Sequence, residues 1–161
     1  MPDQVTWSAL GDGERWWFLG TLAILRVPGE AVGGRYSLIE FLFPHHASPP
    51  RHSHPYDESL IVIEGQLTMV AGESRFGLAP GGVVAAPQGV PHTFRVESET
   101  ARVLALSTPA GLEQMVRDGS VPAAEATLPP PDTPRPSAEA IEAVFAKHGQ
   151  VNHGPPLGPN D

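Results

Sequence analysis

The chain has no cysteine, which removes disulfides, thiolate-bound zinc and iron–sulfur chemistry together and leaves only nitrogen and oxygen donors for any metal. It is also poor in basic residues: 10 lysines and arginines stand against 18 aspartates and glutamates, a net charge of −8 at pH 7. A surface of that sign repels phosphate backbones and anionic lipid, so neither nucleic acid nor a membrane is expected as a partner. Long hydrophobic runs are missing as well. The most apolar early stretch, Trp16 to Leu25, has no basic segment before it and is too short to span a bilayer, so it reads as neither a signal peptide nor a membrane helix. A soluble, cytoplasmic protein is the expectation, and 161 residues suffice for one core domain with an appended tail.

What the chain does have is turn chemistry. Pro28-Gly29, Gly33-Gly34, Glu64-Gly65, Ala71-Gly72-Glu73, Pro80-Gly81-Gly82 and Gln88-Gly89 divide residues 16 to 108 into short apolar segments, the texture of an all-β sandwich or barrel. Strands are expected at Trp16 to Arg26, Arg35 to Phe43, Ser59 to Glu64, Gln66 to Ala71, Val83 to Ala86, His92 to Glu97 and Arg102 to Ser107. Beyond Ser107, Thr108-Pro109 reads as the start of a short helix with an apolar stripe of Leu112, Met115 and Val116, ended by Gly119. The run Pro-Pro-Pro-Asp-Thr-Pro-Arg-Pro at 129 to 136 can only be an extended spacer. A second helix follows, capped by Ser137, with Ile141, Val144, Phe145 and His148 on one face and Gly149 as its stop. Its apolar face suits either the outside of the barrel or a lid over the barrel mouth, and the tail after Val151 is either disordered or tucked against that mouth. The domain plan is an N-terminal arm (1–15), a β-barrel (16–118), and a linker, amphipathic helix and tail (119–161).

The chemistry-bearing residues are concentrated in two stretches. In a strand, residues i and i+2 share a face, so His52 and His54 can present both rings to one point while Ser53 faces away. Glu58 follows after a bend of Pro55-Tyr56-Asp57, and its carboxylate can return to the same side. His92 arrives from a strand distant in sequence, after the Pro87-Gln88-Gly89-Val90-Pro91 turn. Three imidazoles and a carboxylate at these spacings can converge on one divalent metal. His45, His46, His148 and His153 lack such spacing and are not expected to be ligands, and the adjacent His45 and His46 would diverge in an extended chain.

These two stretches resemble the cupin superfamily. The first carries His52-x-His54-xxx-Glu58-x6-Gly65, with Ala47 near where the family has a leading glycine; the second carries Gly81, Pro87, Gly89 and His92, with Val96 where the family has asparagine. The resemblance spans about residues 15 to 118 and implies an all-β fold, a double-stranded β-helix or jelly-roll barrel with short C-terminal helices added. It also implies that His52, His54, Glu58 and His92 are the ligands of one divalent transition metal per chain, and that the chain pairs into a homodimer. On strand parity, Phe94, Val96, Leu60 and Val62 would face into the barrel as substrate-binding walls, Val96 making them greasier, and Tyr36 on the parity of Glu40 is a further candidate.

Nitrogen and oxygen donors of this kind fit iron, manganese, nickel, cobalt, copper or zinc, and an octahedral ion would keep two positions open. The texture of Phe18-Leu19-Gly20, Gly33-Gly34-x-Tyr36-Ser37-Leu38-Ile39-Glu40, Pro91-His92-Thr93-Phe94 and Gly154-Pro155-Pro156-Leu157-Gly158-Pro159 is similar to bacterial single-domain quercetin 2,3-dioxygenase-like cupins. That similarity implies a dioxygenase cleaving a small aromatic, enolic substrate with dioxygen. Glu58 is then the catalytic base, taking the proton of the enolic hydroxyl. A metal-dependent isomerase, cyclase or lyase, or a noncatalytic small-molecule-binding protein, would carry the same site.

Overall fold

The computed structural model describes residues 4–9 and 11–161. It is built from β1 (Glu14–Phe18), β2 (Thr21–Val27), β3 (Ser37–Pro44), β4 (Arg51–Ser53), β5 (Asp57–Glu64), β6 (Leu67–Ala71), β7 (Ser74–Leu78), β8 (Val83–Ala86), β9 (His92–Val96) and β10 (Thr100–Thr108). After these come α1 (Leu112–Asp118), β11 (Val121–Pro122), α2 (Ala138–Lys147) and β12 (Val151–Gly154). The strands form two antiparallel sheets, ordered β11-β1-β2-β3-β10-β5-β8 and β12-β4-β9-β6-β7, which enclose one core as a jelly roll.

Alternation decides which side chains enter that core. In β10, Ala101, Val103 and Ala105 are buried while Arg102 and Leu104 lie on the other face; in β3, Ile39 and Phe41 turn inward. Met69, Val96 and Val103 are fully buried, and burial of each large apolar side chain stabilises the fold by about 2 kcal/mol.

Several boundaries differ from the sequence expectation, each for a local reason. The run from Trp16 to Arg26 is a hairpin, not one strand: Leu19 (φ 50°) and Gly20 (φ 86°) form a two-residue turn and Phe18 pairs with Thr21. Leucine is a poor residue for a left-handed position, so the turn has no sequence signal ahead of Gly20. β7 was not expected because Arg75 and Gly77 interrupt its apolar pattern. The first helix begins at Leu112 rather than at Thr108-Pro109, since Thr108 is still paired with Asp57 in the sheet.

Glu40 lies on a central strand, turned away from the core, where Arg26 holds Oε2 at 2.6 Å and Arg102 holds Oε1. Two guanidinium groups account for a carboxylate in the middle of this sheet. The C-terminal tail is also structured. β12 pairs with β4, and the final residues lie along the five-stranded sheet, where Arg95 and Arg75 hold the Gly158 and Asp161 carbonyls and Ser48 accepts from the Leu157 amide.

Candidate metal centre

His52 and His92 face each other directly across the β4–β9 pairing. His54 follows β4, and Glu58 enters from β5 in the opposite sheet, where its ladder neighbours are the small residues Ala86 and Ser107. The four expected ligands therefore meet between the two sheets. Ring centroids are 4.6 Å apart for His52 and His92, 4.8 Å for His54 and His92, and 5.5 Å for His52 and His54. One nitrogen from each imidazole lies within 4.8 Å of the others, and Glu58 Oε2 is 3.2 Å from Nε2 of both His54 and His92.

Each ring is anchored on its far side by the main chain. Nδ1 of His52 donates to the Pro50 carbonyl at 2.7 Å, that of His54 to Tyr56 at 3.0 Å and that of His92 to Val90 at 2.9 Å. A carbonyl can only accept, so each Nδ1 carries the proton, and in the neutral ring Nε2 keeps a bare lone pair. The Tyr56 ring stacks on His54 at 4.1 Å and 12°, fixing its plane. Lone pairs aimed at a carboxylate oxygen at 3.2 Å repel unless a proton or a metal ion stands among them. These donors consequently fit a divalent transition metal, with outer partners already set to orient three imidazoles.

The electrostatics set the rings apart. Burial, followed by the neighbouring His92, pushes the His52 imidazole down to about 4, so this ring is uncharged at neutral pH, its one proton on Nδ1. Burial would raise the Glu58 carboxyl, but the bonds and charges of His54 and His92 outweigh it and hold the group below the usual carboxylate range. Burial likewise opposes a charged His92, yet Glu58 prevails and raises it.

A cavity of about 420 Å³ opens onto this centre. Phe41, Phe43, Phe94, Leu60, Met115 and Phe145 supply apolar wall, with Phe43 stacked on Phe41 at 5.2 Å and edge-on to Phe94 at 5.0 Å. Phe94 and Leu60 are thus placed as expected. Val62 and Val96 are not: they lie one strand repeat further from the histidines, packed with Leu67 and Val103 in the core beyond the cavity. Tyr36 is also absent from the lining, because inward positions of β3 fall on the parity of Ile39 and Phe41, opposite to that of Tyr36 and Glu40.

The structure adds wall residues that sequence reasoning passed over. Phe41 and Phe43 were readable from the alternation of β3. His45 and His46 stay out of the metal group but line the cavity; they do not diverge, because His46 adopts φ 62° and the two rings stack at 3.6 Å. His148 and His153 lie elsewhere, bonded to Asp118 and Ser53. Arg135, Phe145 and Gln150 come from the linker and α2 region, so the second helix and its flanks build part of the cavity wall.

The family model for the Cupin domain matches residues 39–108, which contain all four convergent residues. Residues 39–108 are a cupin domain. A quercetin 2,3-dioxygenase from Bacillus subtilis (strain 168) is 26% identical over 100 residues, covering 58% of this chain but only 28% of that protein's length. Among solved structures, an RmlC-like cupin from Shewanella frigidimarina superposes with a TM-score of 0.59 at 16% identity, covering 71% of this chain and 99% of that one. KdgF from Halomonas sp. gives 0.57 at 17% identity, covering 66% and 94%. At such identities the two structures bear on the fold alone. The cupin domain ends before α1, so the part of the cavity wall built by Arg135, Phe145 and Gln150 lies outside it. No helix of the described residues is long and apolar enough to cross a membrane.

Proposed function

We propose that this cupin is a metal-dependent dioxygenase of a small, apolar or aromatic enolic substrate. The observation that carries the reading is the convergence of three Nε2 lone pairs, locked by carbonyls at their Nδ1 atoms, beside Glu58 at the end of a largely apolar cavity. The partial likeness to a quercetin dioxygenase supports the same direction.

His52, His54, His92 and Glu58 would hold the ion. When bound, a redox-active divalent metal supplies Lewis acidity toward the enolic oxygen and electron exchange with dioxygen. The phenylalanine walls accept the ring of the substrate and exclude water, which strengthens every charge interaction inside. Glu58 either stays on the ion or swings from it to take the enolic proton as substrate binds, and the Nδ1 atoms of His54 and His92, already donating to carbonyls, cannot relay that proton.

The test is elemental analysis of untagged protein beside His52→Ala, paired with oxygen uptake on a flavonol. Near-stoichiometric redox metal, lost in the variant and accompanied by oxygen uptake, supports the dioxygenase. Metal with turnover that needs no oxygen would reassign the site to an isomerase, cyclase or lyase. Failure to bind metal even after reconstitution would leave a small-molecule-binding protein.

A further inference from the structure

We infer that Arg135 is a specificity residue at the cavity rim, and that the substrate carries a carboxylate or equivalent anionic group at the end remote from the metal centre. The inference deepens the proposed function and rests on that reading for its assignment of which end of the substrate meets the metal.

The chain has an excess of eight acidic groups, and its cations are mostly matched to them. Arg26, Arg95, Arg102, Arg117 and Lys147 each sit on a carboxylate, and Arg51 and Arg75 on backbone carbonyls. Arg15, Arg35 and Arg135 have no such partner among the described residues, and of these three Arg135 alone lines the cavity that holds the metal centre. The sole carboxylate in that lining, Glu58, is engaged with two imidazoles at the metal end. An arginine left unmatched in an acid-rich protein, exposed at a largely apolar cavity, is a binding group for an anion that arrives from outside.

Its placement is fixed by the fold. Pro134 and Pro136 flank it, so little backbone freedom is left to lose when it engages a ligand. Its guanidinium lies over the Leu19–Gly20 turn, where a Cβ on Gly20 would approach Nη2 to 2.9 Å. Glycine at position 20 therefore serves the turn and also leaves room for the arginine. Gln150, also at the cavity wall, gives one amide hydrogen to Asn152 Oδ1 at 3.0 Å and keeps a second that can go to the same anionic group. Both residues fall outside the cupin domain at 39–108, so the segment that follows the domain supplies the anion recognition while the domain holds the metal.

The test compares binding of 3-(3,4-dihydroxyphenyl)propionate with its neutral amide by calorimetry, using wild type, R135Q and R135K, each with and without zinc. The catechol gives the metal a ligand of its own, so the carboxylate is free to report on the rim. The expected result is a preference for the acid of about tenfold in wild type, as for a charge-assisted hydrogen bond at an accessible site, lost in R135Q and largely kept in R135K. Affinity for the amide should be the same in all three proteins. Equal binding of acid and amide by wild type overturns the inference. So does a preference that survives R135Q, which would place the carboxylate on the metal, and so does failure of both compounds to bind. Failure of the metal reading shows separately: wild type would not take up zinc, whereas the arginine-dependent preference would be read in the zinc-free arm.

Discussion

Asn152 pairs with His52 across the β12–β4 ladder, so a strand from the C-terminal tail is joined to the strand that presents the first imidazole. β4 has only three residues, and its other neighbour, β9, meets it at the single His52–His92 register. Much of the support for His52 therefore comes from the tail.

Truncation after Gly149 removes that support. The shortened protein should bind zinc more weakly by about 10- to 100-fold, the usual cost of losing outer support around a metal ligand. Competition with a chelator measures it, and an unchanged affinity would show that β4 holds its own geometry.

Glu58→Gln separates ligation from proton transfer. Three imidazoles remain to hold the ion, so metal content at saturating concentration should stay near that of wild type while turnover falls by about 10²- to 10⁴-fold, the range for losing a general base. Complete loss of metal in the variant would reduce Glu58 to a ligand.

Asp118 ties α1 to α2, accepting from Lys147 and His148 at 2.7 Å each. Those bonds, Lys147 first, hold its carboxyl below the ordinary value of 3.8. A lowered folded-state pKa gives stability that is complete above 3.8 and is lost as pH falls through the folded value. The melting temperature of wild type should exceed that of Asp118→Asn at about pH 5, and the margin should shrink below pH 4 as the unfolded chain's carboxyl titrates. A margin that grows on acidification would contradict the sign.

Two glycines of the family pattern should differ sharply when changed to alanine. A Cβ at Gly65 (φ 87°) would meet Thr100 O at 2.5 Å and Ala101 Cα at 2.8 Å, both backbone, whereas at Gly89 (φ 76°) nothing lies within 4 Å. Gly89→Ala should cost only the left-handed strain, about 1–2 kcal/mol, and Gly65→Ala clearly more, since a chain segment must also move. Denaturant unfolding of the two variants gives the comparison.

The β-architecture and the shared face of His52 and His54 were legible from short-range rules, turn residues at fixed offsets and the two-residue repeat of a strand, whereas Glu58 and the distant His92 joined them through the resemblance to the cupin pattern. Parity also found Leu60 and Phe94. It could not say how deep the cavity runs, so Val62 and Val96, of the correct parity, lie beyond it. Leu19 and His46 show the other limit. Both take left-handed backbone angles that their side chains do not announce, and with them the first hairpin and the stacked His45–His46 pair were hidden. Arg135 was hidden by distance, since nothing local relates a proline-flanked arginine to the turn at Gly20.

The carbonyls of Pro50, Tyr56 and Val90 that orient the three imidazoles belong to the main chain. Had they been carboxylates, any drift at those positions would have erased an acceptor. Here replacement of the side chain leaves the oxygen where it was, provided the backbone keeps its course. The centre is thereby buffered against mutation in its surroundings, and the cavity walls are free to diversify toward new substrates while the imidazoles keep their aim.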